Sequence, residues 1–199
     1  MDEQVYIPKE GRFNGISMPT KWNGITFRSR LEARWAVFFD SLKPSIEYLY
    51  EPELIQTPWG PYLPDFYLPA INTFWIVKGQ PIEKDEIEKV FWIGERGFGV
   101  CIHEGQIPIG LDHEYMDHRS AAGGYLFHGY VDEDSNGANW DNTAVFCQCH
   151  QCGKYGVEFD GRTDRICRHE GHGDKGYGDT KNIRNALDLA RNHRFDKRG

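Results

Sequence analysis

At 199 residues the chain can bury one sizeable core, with room for a small appended module. Its 39% hydrophobic and 14% aromatic content excludes a disordered chain, and no apolar run approaches the roughly 18 residues of a membrane helix. The net charge of −7 argues against a general nucleic-acid binder, but it is uneven: residues 161–199 carry 10 Lys+Arg against 6 Asp+Glu, leaving −11 on the remainder. An acidic body with a basic tail still admits a nucleic-acid partner at one end.

The N-terminus, MDEQVYIPKEGR, is too polar for a signal peptide, so a cytoplasmic protein with no membrane partner is expected. Residues 1–20 read as a loosely structured arm punctuated by Gly and Pro. From Ser29 to Leu42 the spacing predicts a helix, with Leu31, Trp35, Phe38 and Leu42 at intervals of four, three and four. Lys43-Pro44 ends it. Ile46 to Tyr50 reads as a short strand. Tyr62 to Leu68 and Thr73 to Lys78 read as two strands joined by a Pro69-Ala70-Ile71-Asn72 turn. A helix is expected over Asp85–Gly94 and a strand over Phe98–His103. Residues 111–143 are rich in Gly, Asp, Asn, Ser and His and read as a connector with some local strands. The last helix spans Thr180–His193, with Ile183, Ala186, Leu187 and Ala190 on one face. The expected partition is an arm (1–20), a mixed α/β core of the α+β kind (21–110), the connector (111–143) and a Cys-rich module with a basic helix (144–199).

Pairing Leu68 with Thr73 across the turn sets Asp65 opposite Ile76 and Leu63 opposite Lys78. Alternation then makes Asp65 and Lys78 diagonal neighbours on one face of the hairpin. An acid and an ammonium on an otherwise apolar hairpin need a reason, because isolated charges are costly there. A rim ion pair is one reason. Catalysis is the other. Glu32 has two readings as well, since Ser29-Arg-Leu-Glu32 spells a capping box.

The stretches Gly24-Ile-Thr-Phe-Arg-Ser-Arg-Leu-Glu-Ala-Arg-Trp-Ala, Tyr50-Glu-Pro-Glu, Tyr62-Leu-Pro-Asp-Phe-Tyr-Leu-Pro and Trp75-Ile-Val-Lys-Gly together resemble the PD-(D/E)XK nuclease superfamily, in particular its small phage-encoded members. The resemblance covers residues 24–108. It implies a restriction-endonuclease-like core, a mixed sheet flanked by helices, that hydrolyses DNA with Mg²⁺ or Mn²⁺. It assigns Asp65 as the motif aspartate and metal ligand, Lys78 as the motif lysine, the Val77 carbonyl as a further ligand and Glu32 as the assisting helix acid. Arg28 and Arg30, beside Glu32, become candidate phosphate contacts. One position departs from the pattern: Ile76 stands where the second carboxylate belongs, and an aliphatic side chain cannot ligate a hard cation. Glu32, Glu51 and Glu53 are the candidate replacements.

Four of the five cysteines lie between positions 147 and 167, and such clustering points to metal rather than to disulfides. Cys149-His-Gln-Cys152 is a C-x₂-C knuckle, followed after fifteen residues by Cys167-Arg-His169-Glu-Gly-His172. The set fits a structural Zn²⁺ site with His169 or His172 as fourth ligand, and Cys147 as an alternative to Cys149. Cys101, in an expected core strand, reads as a buried hydrophobe. The last helix carries Arg184 and Arg191, with Arg194 beyond, as candidate DNA-backbone contacts. Three function classes follow: a metal-dependent DNA nuclease, a catalytically silent DNA-binding protein, and a phage interaction factor acting on a host protein.

Overall fold

A computed structural model describes residues 17–107, 123–128, 140–159, 166–167 and 180–195. In chain order its elements are β1 (Thr20–Trp22), β2 (Ile25–Phe27), α1 (Arg30–Ser41), β3 (Leu49–Tyr50), β4 (Ile55–Thr57), β5 (Gly60–Tyr62), β6 (Phe66–Leu68), β7 (Thr73–Lys78), α2 (Lys84–Gly94), β8 (Gly99–Glu104), β9 (Gly123–His128), β10 (Trp140–Gln148), β11 (Tyr155–Phe159) and α3 (Lys181–Asn192).

Seven strands form one sheet in the order β11-β10-β9-β8-β7-β6-β3. Only β7 and β8 are parallel, and α2 makes the crossover between them. The hairpin register is the expected one, Leu68 opposite Thr73, closed by a 3-10 turn over Pro69–Ile71 with Asn72 at φ 49°. The hydrophobic run of β7 is explained by cover on both sides. Trp75 and Val77 face a core shared with α1 and α3, while Phe74 and Ile76 pack with Val90 and Ile93 of α2. The fold is thus mixed α+β, with helices on both faces of a mixed sheet.

Helix α1 starts where its cap predicts, with Ser29 Oγ accepting from the Glu32 N–H at 3.0 Å. It buries Ala33 and every residue from Trp35 to Phe39, more than one stripe, because the sheet and α3 both lie against it. The cores of α1 and β7 meet through Trp35 and Trp75, whose rings are 4.8 Å apart.

Two hairpins escaped the sequence reading. Asn23-Gly24 joins β1 to β2 with φ of 49° and 85°, the two positive values that a tight hairpin turn demands. The three-residue strands are too short to show alternation. The hairpin of β4 and β5 was likewise hidden, its turn held by Thr57 Oγ1 donating to the Gly60 carbonyl. The expected boundary between residues 143 and 144 falls inside β10, a strand of the main sheet. Phe146 of β10, Val157 of β11 and Ile183 and Leu187 of α3 share one core with Trp35 and Trp75, so the Cys-rich segment is built onto the main body.

Candidate functional site

Strand β7 outlasts its neighbour. Its last partner in β6 is Phe66, opposite Trp75, so on that side the Val77 N–H has no strand partner. Asp65 takes that donor: Oδ2 accepts from Val77 N at 2.8 Å, in a buried position. Counting back from Phe66 still sets Asp65 opposite Ile76, but the carboxylate turns along the sheet edge. Its Oδ1 accepts from Arg28 Nη2 at 3.1 Å, and its backbone carbonyl from Glu51 N at 2.8 Å. Glu51 sits at φ 46°, a left-handed conformation uncommon for glutamate, and its side chain pairs with the same guanidinium.

Glu32 lies in the first turn of α1 and is buried. The capping box is only half formed. Ser29 caps the Glu32 N–H, but Glu32 Oε2 reaches past the cap to accept from Arg28 N at 3.1 Å and from the Tyr50 hydroxyl at 2.6 Å. The Tyr50 phenol is pushed up by burial and by that hydrogen bond, so it stays a donor at neutral pH.

Lys78, at the end of β7, pairs with Glu86 of α2, and Tyr62 adds a hydrogen bond to the same carboxylate. Glu86 is a participant the sequence reading missed; nothing in linear spacing says that a first-turn acid will fold back over the preceding strand. Ile76 is fully buried among Tyr62, Phe74, Val90, Ile93, Val100 and Ile102. Glu53 is exposed, and Glu51 is held by Arg28.

Burial pushes the Asp65 carboxyl up to about 6; the Val77 N–H opposes this, Glu32 reinforces it, and Lys78 and Arg28 oppose it. A raised folded-state value means that this group stabilises the protein fully below its ordinary 3.8, and that the contribution is lost as pH rises through about 6. Asp65→Asn keeps an oxygen for the Val77 N–H and removes the buried charge. We expect it to raise Tm at neutral pH by roughly 2–4 °C, on the order of 1 kcal/mol. An equal or lower Tm in a thermal melt would show that the ionised carboxylate is not costly.

The cysteines form a second centre at the end of β10. The sulfurs of Cys149, Cys152 and Cys167 all lie within 4.8 Å of one another, close enough to hold a metal ion. Among the described residues no acidic cluster is gathered as tightly. The knuckle turns back through Gly153 at φ 73°, with Cys149 N donating to Lys154 O at 2.8 Å. The N–H groups of Gln151 and Cys152 donate to Cys149 Sγ at 3.3 and 3.4 Å. Burial raises the Cys149 thiol, but these amides and the neighbouring Cys167 and Cys152 thiols outweigh it and bring it down to about 6. Gly156 gives Cys167 its seat: a Cβ there would stand 2.7 Å from Ile166 Cγ1, so the chain before Cys167 presses directly onto β11. Cys147 is buried one residue pair away with its Sγ toward the Gly156 carbonyl, and is not in the set. Cys101 is buried in the core. His169 and His172 lie outside the described residues.

The candidate nucleic-acid contacts fall in two places. Arg28 and Arg30 are exposed at the start of α1, beside Asp65 in the case of Arg28. Arg184 and Arg191 lie on α3 and exposed Arg194 follows it; Arg191 pairs with Asp188 at 2.7 Å. Among the described residues no helix is long and apolar enough to cross a membrane. No family model, curated protein or solved structure matches this chain.

Proposed function

We propose that this protein is a metal-dependent nuclease of the PD-(D/E)XK type that hydrolyses phosphodiester bonds in DNA, carried on a scaffold pinned by a structural zinc ion. The observation that carries the reading is the buried Asp65, fixed to the end of β7 by the Val77 amide, with Glu32 of α1 and Lys78 of β7 acting on it electrostatically. The run α1–β6–β7–α2–β8 supports it, since it sets one acid on a helix, one at a strand edge and a lysine on the next strand.

The donors suit a hard divalent cation in kind: Asp65, Glu32 and the Val77 carbonyl all offer oxygen. Mg²⁺ or Mn²⁺ held there supplies phosphate polarisation and an acidified water. The residues themselves do the rest. Asp65 must be ionised, which without the bound cation requires pH above about 6. Arg28 covers Asp65 Oδ1 through a side chain that is 55% exposed, so it is free to exchange that carboxylate for a phosphate of the substrate. The Lys78 ammonium orients the water or the scissile phosphate. Arg30 extends the cationic edge along α1, and Arg184, Arg191 and Arg194 offer backbone contacts from α3. In the second centre Cys149, Cys152 and Cys167 supply three thiolates, and His169 or His172 completes the set around Zn²⁺.

A catalytically silent DNA-binding protein is the second reading, favoured by the fully buried Ile76 and by Arg28 already standing on Asp65. The two separate in one experiment, binding and cleavage of labelled single- and double-stranded DNA with and without Mn²⁺. The nuclease reading expects chelator-sensitive cleavage, with binding retained and cleavage abolished in Asp65→Asn. Salt-sensitive binding without cleavage leaves the silent protein, and no binding at all sinks both.

A further inference from the structure

The site needs a second acid, and β7 does not provide one. Ile76 is fully buried against α2, packed with Tyr62, Phe74, Val90, Ile93, Val100 and Ile102. A carboxylate does reach Lys78 from α2. The connection from β7 to α2 is pinned at both ends: Gly105 N donates to the Lys78 carbonyl at 2.7 Å, and Ile82 N to Glu104 Oε1 at 2.7 Å. The first turn of α2 then opens on Glu83, whose carbonyl accepts from Glu86 N and Ile87 N. This path returns the Glu86 carboxylate onto Lys78 Nζ, with the two side chains only 22% and 27% exposed.

We propose that Glu86 is the positioning residue for Lys78; the proposal rests on the nuclease reading above. Lysine is a point charge on a flexible four-carbon stem, and only a fixed partner gives its ammonium one location. Glu86 is such a partner because it is itself fixed. Tyr62, 8% exposed at the end of β5, hydrogen-bonds the same carboxylate. That phenol is pushed up by burial, then by Glu86 and Asp65, and so remains a donor.

A first-turn acid also favours its own helix dipole, and that alone might place a glutamate here without any role at Lys78. Asp85 controls for this. It shares the first turn of α2 but is exposed, and no ion pair joins it to Lys78. A merely helix-stabilising Glu86 should behave like Asp85.

The test compares the parent with Glu86→Gln, Glu86→Asp and Asp85→Asn in two measurements. The first is steady-state cleavage of DNA in Mn²⁺. Glu86→Gln is expected to lose about 10–100-fold in kcat with KM little changed, the range seen when a supporting partner of a metal or catalytic group is removed. Glu86→Asp should recover part of the loss, and Asp85→Asn should match the parent. The second is the rate at which Lys78 is acylated by an amine-reactive ester, read by peptide mass spectrometry. It should rise several-fold in Glu86→Gln and stay unchanged in Asp85→Asn, whether or not the protein cleaves DNA. Parental kcat in Glu86→Gln, or a Lys78 no more reactive than in the parent, overturns the proposal. If the parent itself fails to cleave, the nuclease reading falls, and the acylation rate alone decides whether Glu86 holds the lysine.

Discussion

With the proposed zinc ion bound at the cysteine centre, stripping it with a chelator, or replacing Cys149 with serine, is expected to lower Tm by roughly 8–16 °C, corresponding to about 4 kcal/mol for a site occupied a thousandfold above its dissociation constant. The size follows from where the centre sits. Gln148, just before Cys149, joins three parts of the fold. Its Oε1 accepts from Thr180 Oγ1 at 2.8 Å and from Asn182 Nδ2 at 3.0 Å, at the start of α3. Its Nε2 donates to the Lys43 carbonyl beyond α1 at 3.3 Å and to Gly153 of the knuckle at 3.2 Å. Asn182 closes the circuit to Lys43 and to the Tyr155 hydroxyl. Loosening the knuckle therefore loosens the docking of α3 on α1. Cys152→Ser should act like Cys149→Ser although its side chain is exposed, because what is lost is the ion and not apolar packing. Melts that ignore both a chelator and Cys149→Ser would remove the metal from the account.

Placing the second acid of the PD-(D/E)XK motif on the strand should fail. Ile76→Glu is expected to cost on the order of 4 kcal/mol or more and to yield a poorly folded, inactive protein. Ile76 is 0% exposed and its neighbours offer a carboxylate no cation; the nearest, Lys78, is already committed to Glu86. Ile76→Val removes one methyl from the same place and should cost about 1 kcal/mol, which calibrates the site. Chemical denaturation of the two variants measures both values. A stable Ile76→Glu that cleaves DNA faster than the parent would mean that position 76 does reach the reacting centre.

Much of the site was legible because it is local. The hairpin register follows from one turn, so Asp65 could be set against β7 by counting alone. The Ser29 cap and the limits of β7 were readable for the same reason: a short-range pattern fixes each one. What stayed hidden depends on partners distant in sequence. Glu32 looks like a capping-box acid until Tyr50, eighteen residues later, arrives to claim it. Glu86 meets Lys78 only because α2 folds back across β7. The apolar face of α3 says that it packs on something, but not that α1 is the surface. Likewise the C-x₂-C spacing predicted a closed centre, and nothing local in it showed that β10 and β11 extend the main sheet.

The central claim, that the Asp65 site hydrolyses phosphodiesters, is tested most directly by the pH dependence of DNA cleavage in Mn²⁺ for the parent and Asp65→Asn. The expected result is parental activity that is lost on acidification as Asp65 takes up a proton, at or below about 6 because the bound cation favours the carboxylate, and no activity in Asp65→Asn at any pH. A parent that cleaves nothing across the range, or an Asp65→Asn protein that cleaves as well as the parent, would contradict it.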